Sequence, residues 1–254
     1  MSSYIRNQHT LMKNSGIIIT CEHAGNRVPN ALRDCFTDSA IFSTHRAYDI
    51  GALQMARIIA NILKAPLLYT TITRLVVDCN RSIGSDELFS EFTKDCNIFL
   101  KNEIVKRYYT IYRSKIEKTV NTMIHNTNCV FHIAVHSFTP QLNGFKRYTD
   151  IGLLYDQSRP KEALFCNKIK EALMHEYPLR VAFNYPFRGC GDGVTVWLRK
   201  QFGDSYCGIE LEANQQIFFS SQMLWQQLSK HLAQAIEYAV NAILPDSMDK
   251  HDYM

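Results

Sequence analysis

The sequence predicts an α/β domain built on a mainly parallel or mixed sheet with helices on both faces. Short β-branched or apolar runs recur at residues 17–20, 67–72, 131–135, 151–155, 179–183 and 207–211. Helix-like stretches separate them, which is the alternation that parallel sheets require. With 254 residues and 46% hydrophobic content, the chain can bury one sizeable core, so residues 16–244 are read as a single domain between a polar segment at 1–15 and a polar tail at 245–254.

Ile17 to Ile19 open the first strand, and Gly25 and Pro29 mark the turn that ends it. Leu53, Ala56, Ala60 and Leu63 share one face of a helix after Asp49, and Pro66 stops that helix before the next strand. Residues 97–125 form a long amphipathic segment in which Ile104, Tyr108 and Ile111 alternate with Lys115 and Lys118. Pro160 lies near the start of a helix reaching Glu176, and residues 222–243 read as the closing helix.

The 28 basic and 24 acidic residues are spread along the chain and leave a formal charge of +4. No continuous basic stripe indicates nucleic acid. No stretch is long and apolar enough for a membrane span, and the first fifteen residues carry no apolar signal core. Eight dispersed cysteines without a Cys-x-x-Cys pair read as reduced thiols. Together these point to a cytoplasmic protein acting on a small molecule; the sequence leaves the oligomeric state open.

His23 and His136 both stand where an apolar run breaks, and ligands collect at such strand ends. Two such histidines suggest a metal site, which in a hydrolase takes three protein ligands and leaves one position for water. Asp49, just before a helix, is the candidate third ligand; Glu22 and Asn26 are its rivals. Hydrolysis also needs a base to move a proton from water to the leaving amine. Glu210 and Glu212 qualify, and their spacing puts both on one face of a strand.

Arg74, Asp78, Asn80 and Arg81 follow the second strand. Guanidinium forks suit a substrate carboxylate, with an internal Arg–Asp salt bridge as the alternative use of Arg74. Residues 184–195 have the glycines of a loop that covers a ligand but lack a nucleotide phosphate-loop pattern.

The ordered set formed by residues 21–26 with Pro29, 45–52, 73–81, 136–140 with Gly144 and Arg147, 184–187 and 210–214 resembles the N-formylglutamate amidohydrolase family over most of the chain. The resemblance implies a phosphorylase/hydrolase-like fold and a metal-dependent hydrolase that splits an N-acyl amino acid such as N-formylglutamate into formate and glutamate. It assigns His23, Asp49 and His136 as ligands of one divalent metal, with zinc the expected ion. It assigns Glu212 as general acid/base, and Arg74, Asn80, Arg81, Arg147 and Asn184 to the substrate pocket. Another peptide or N-acyl amino acid amidase, or a non-catalytic binding protein of the same fold, are the alternatives. One departure stands out: relatives commonly carry a histidine after the Gly-rich loop, where this chain reads Val194-Thr195-Val196-Trp197-Leu198-Arg199, leaving Arg199 as a substitute.

Overall fold

The computed structural model describes residues 16–127, 129–176 and 178–244; the polar segments 1–15 and 245–254 lie outside the described residues. The main sheet has six strands: β1 (Gly16–Cys21), β2 (Leu67–Tyr69), β3 (Val130–Phe138), β6 (Ile151–Leu154), β7 (Val181–Phe183) and β8 (Tyr206–Asn214). They lie in the order β2-β1-β3-β8-β6-β7. A two-stranded hairpin, β4 (Gln141–Leu142) and β5 (Phe145–Lys146), projects after β3. Every neighbouring pair in the main sheet is parallel except β6 and β8, which run antiparallel. The sheet is therefore mixed.

Helices cover both faces. On one face, α1 (Ala52–Leu63), α4 (Pro160–Glu176) and α7 (Gln222–Ile243) pack on Ile17, Ile19, Phe131, Ile133, Val135, Ile209 and Leu211. On the other, α3 (Ile111–Thr127), α5 (Val194–Phe202) and the segment after β2 pack on Ile18, Val130, Ala134 and Tyr206. Burial on two sides is why the strands read as apolar runs. Helix ends follow local chemistry: the Ser221 side chain accepts from the Leu224 N–H at the start of α7, and Lys64, in the left-handed region, closes α1 ahead of Pro66.

Two expectations change. The run at 67–72 is a strand only to Tyr69, and beyond it Ile72 makes a single bridge to Arg27. Residues 97–125 are not one regular helix: α2 (Ile98–Ile104) passes through a π-helical turn at Val105–Thr110 into α3. Ile104 and Tyr109 are both buried, although five residues would carry a regular helix about 140° past a full turn; the wider π turn restores the common face. After the Gly-rich loop the chain enters α5 at Val194. No described helix is long and apolar enough to cross a membrane. All eight cysteines are free thiols.

Candidate active site

The site lies at the carboxyl ends of β1, β3 and β8, on the face covered by α3 and α5. Alternation along the strands puts it there: Thr20, His132, His136, Glu212 and Asn214 are the buried polar residues at even positions, while the odd positions, Ser137 apart, feed the apolar core opposite. His136 and Glu212 face each other in the β3–β8 register. His23 sits two residues beyond β1, and its carbonyl oxygen accepts from the Asp49 N–H at 3.0 Å. Gly51 then turns the chain into α1 with φ +85°, in a space where a β-carbon would stand 2.6 Å from Phe218.

His23, Asp49 and His136 are buried, and each offers one ligand atom within 4.8 Å of the others. Asp49 Oδ2 lies 2.8 Å from His136 Nδ1 and 3.4 Å from His23 Nδ1. The outer nitrogens meet two further carboxylates. His23 Nε2 donates to Asp78 Oδ1 at 2.7 Å, and His136 Nε2 lies 3.3 Å from Glu22 Oε2, a charge attraction rather than an aligned hydrogen bond. Glu22 is itself held by the Tyr112 hydroxyl, which donates to Oε1 at 2.8 Å. Carboxylates behind the imidazoles fix ring orientation and raise ligand basicity. Of the rivals, Glu22 is thus behind His136, and Asn26 donates instead to the Phe42 carbonyl oxygen.

Electrostatics agree with a cation position. Burial works against ionisation of Asp49, but Arg74 and His23 outweigh it and hold the carboxyl well below its usual range. Burial likewise opposes charge on His136, yet its hydrogen bond to Asp49 and the attraction of the Glu22 carboxylate raise its affinity for a proton. A cluster that draws a proton inward in this way would also receive a metal ion. His23 Nδ1 is buried without a hydrogen-bond partner, and two imidazoles with one carboxylate are a donor set suited to zinc. These residues fit the ion. Glu212 behaves oppositely: burial, with Asp49 and Glu210 adding to it, raises its carboxyl to about 8, and its Oε2 has no hydrogen-bond partner.

A cavity of about 360 Å³ opens over the cluster and is lined by Arg74, Asn80, Arg81 and Arg147, with Glu210 and Glu212 at its base. The cations are used differently. Arg74 Nη2 pairs with Asp49 Oδ1, so the internal salt bridge expected for Arg74 exists, with Asp49 and not Asp78 as its acid. Arg81 Nε donates to Glu87 at 2.7 Å and Nη1 to the Asp192 carbonyl oxygen at 3.1 Å. Arg147 lies between the rings of Phe138 and Phe187, at 5.9 and 5.5 Å, and pairs with no carboxylate among the described residues. Asn80 Oδ1 accepts from the Val194 N–H at the start of α5.

Two expected contacts are absent from the cavity. Asn184 is not among its lining residues; its Oδ1 accepts from the N–H groups of Tyr155 and Gly189, shaping the loop. Arg199 is buried in a different network, donating to Glu162, the Gly189 carbonyl and the Gly208 carbonyl, and cannot replace a loop histidine in the cavity. Sequence reasoning named Glu22 as a rival ligand and Asp78 beside the arginines, and missed their place behind the imidazoles. It also missed Arg188 at the cavity wall, which the Gly-rich loop pattern alone placed near a ligand.

Compared with known proteins, the chain falls among the amide hydrolases. The family model for N-formylglutamate amidohydrolase matches residues 15–219, and the chain belongs to that family. Two solved structures share the fold. A gene product of Agrobacterium tumefaciens is 24% identical, with 90% of this chain and 92% of that one covered at a TM-score of 0.79. The N-formylglutamate amidohydrolase of Ralstonia eutropha JMP134 is 15% identical, with 90% and 94% covered at a TM-score of 0.68. No curated protein matches the chain.

Proposed function

We propose that the protein is a metal-dependent hydrolase of N-acyl amino acids, with N-formylglutamate, named by its family, as the first substrate. The observation that carries this reading is the convergence of His23, Asp49 and His136 opposite the buried Glu212, in a cavity whose Arg147 is free to take an anion. His23, Asp49 and His136 would hold one divalent ion, zinc by donor type. When bound, the ion supplies Lewis acidity, polarising the amide carbonyl and acidifying a water.

The chain's own residues do the rest. Glu212 takes the proton from the attacking water and passes it to the leaving nitrogen, so the C–N bond breaks to a carboxylic acid and an amine. Its raised affinity for a proton suits the delivery step, and positive charge in the facing cluster favours the carboxylate needed for the first step. Asp78 and Glu22 keep the imidazoles in register, and Arg74 holds Asp49. Arg147, stacked between two rings, and Arg81, clamped by Glu87 and Asp192, receive the substrate carboxylate by charge-assisted hydrogen bonds.

The test is formate release from N-formyl-L-glutamate by zinc-loaded protein, repeated after chelation and across a panel of N-acyl amino acids. Release that chelation abolishes is the expected result. No turnover of any member of the panel by protein carrying one ion per chain would overturn the reading.

A further inference from the structure

Behind the cavity lies a buried cation that the reaction does not use. Arg113, on α3, is only 4% exposed. Its guanidinium is sandwiched between the rings of Tyr109 at 5.2 Å and Trp197 at 4.9 Å. No carboxylate pairs with it among the described residues, and its Nε and Nη1 have no hydrogen-bond partner. Burying a guanidinium without a counter-ion is costly, and an apolar side chain would fill the same slot more cheaply.

What the charge does there is specific. Arg113 Nη2 donates to the carbonyl oxygen of Arg81 at 2.8 Å, and the Tyr109 hydroxyl donates to the same oxygen at 2.8 Å. Tyr109 and Arg113 are four residues apart and share one helix face, which the π turn at Val105–Thr110 brings into line with Ile104. The Arg81 peptide is also the junction between this helix and the loop over the cavity. Arg81 Nη1 donates to the Asp192 carbonyl oxygen, the Ser82 N–H donates to the Asp192 carboxylate at 2.8 Å, and Asn80 accepts from Val194. Trp197, the other side of the sandwich, sits on the helix that Val194 begins.

We infer that Arg113, assisted by Tyr109, is a positioning residue that fixes the Arg81 peptide and thereby the grip on the substrate carboxylate. It touches neither the metal cluster nor Glu212, so it governs affinity for the anionic end and leaves the chemical step to other groups. The inference rests on the proposed hydrolase reading for its substrate.

The experiment compares Arg113→Met, Arg113→Lys and Tyr109→Phe with the wild type in steady-state hydrolysis of N-formyl-L-glutamate, with metal content and Tm measured on each. Arg113→Met is expected to raise KM about tenfold while kcat falls far less, the pattern of binding lost equally from the ground state and the transition state. Arg113→Lys, which keeps a charged donor without the planar stack, should recover part of the loss. A merely structural role would instead lower Tm and the active fraction and leave KM where it was, and that result would overturn the inference. Should Arg113→Met not fold, Tyr109→Phe removes one of the two donors and carries the same prediction at about threefold. Calorimetric titration with L-glutamate separates the two claims, because it needs no turnover. A Kd raised about tenfold in Arg113→Met supports the inference even if the wild type hydrolyses nothing; an equal Kd, or a wild type that does not bind L-glutamate, sinks it.

Discussion

The two faces of the central sheet are made by the same strands, yet only one of them mixes polar groups into its buried layer. Toward α1, α4 and α7, the odd positions of β1, β3 and β8 present Ile17, Ile19, Ile133, Val135, Ile209 and Leu211, a continuous apolar layer. Toward α3 and α5, the even positions present Ile18, Val130, Ala134 and Tyr206 in a second apolar cluster and, among them and at the carboxyl ends, Thr20, His132, His136 and Glu212, buried but polar. A period of two residues thus divides the labour: both faces supply hydrophobic stabilisation, and only the second also buries the polar groups of the candidate site. The division also explains the network of Tyr112, Glu22, Asp78 and Arg74: polar groups buried beneath a layer of helices must be paired, and here the pairing also fixes the side chains of the proposed metal site.

The comparison breaks most sharply at His136. His136→Ala should lose the bound ion and with it turnover, by about 10³-fold or more, while the apolar face and the fold persist; metal analysis with an N-formylglutamate assay reads both. If the ion stays at full stoichiometry, the polar face does not hold it as described. From the other side, Ile133→Ala should cost about 2–5 kcal/mol of stability in urea unfolding, with kcat per folded molecule unchanged. A fall in kcat at full folding would mean that the two faces are not independent.

A third prediction concerns His132, on the polar face beneath the site. It is buried between the Thr20 and Tyr206 hydroxyls, and burial lowers its pKa to about 4. An imidazole harder to protonate folded than unfolded lets the unfolded state gain protons first. Its contribution is therefore intact above about pH 6.5 and drains away as pH falls toward 4, by roughly 3 kcal/mol in all. Urea unfolding of wild type and His132→Gln across that range checks it: the variant should show a shallower slope, and parallel slopes would contradict the assignment. The smallest effect is expected at the orienting carboxylate. Asp78→Asn should weaken metal affinity by about 10–100-fold, measured by competition with a chelator, with the ion still bound at saturation.

The architecture was legible where local chemistry decides it. The closing helix runs from Gln222 to Ile243 as its pattern predicts, and Pro66 separates α1 from β2. The two histidines that follow apolar runs lie near carboxyl strand ends, His23 two residues past β1 and His136 two residues before β3 finishes at Phe138. What escaped was set by partners distant in sequence. Nothing local in residues 151–155 says that β6 lies antiparallel to β8. Asn184 carries a carboxamide suited to a substrate, but two backbone N–H groups claim it. Asp78 was read as a partner for an arginine, and its place behind His23 depends on how the segment after β2 packs against the end of β1. Arg199 looked available only because Glu162, 37 residues earlier, gives no local sign of meeting it.

The most direct test of the account is Glu212→Gln, assayed side by side for bound metal and for kcat. Its carboxyl is buried in the cavity wall and faces His136 across the β3–β8 register without holding a ligand in place. We predict one ion per chain, as in the wild type, with kcat reduced by about 10²–10⁴-fold, the usual worth of a general acid/base. Wild-type turnover in the metal-loaded variant would remove Glu212 from the mechanism and contradict the central claim.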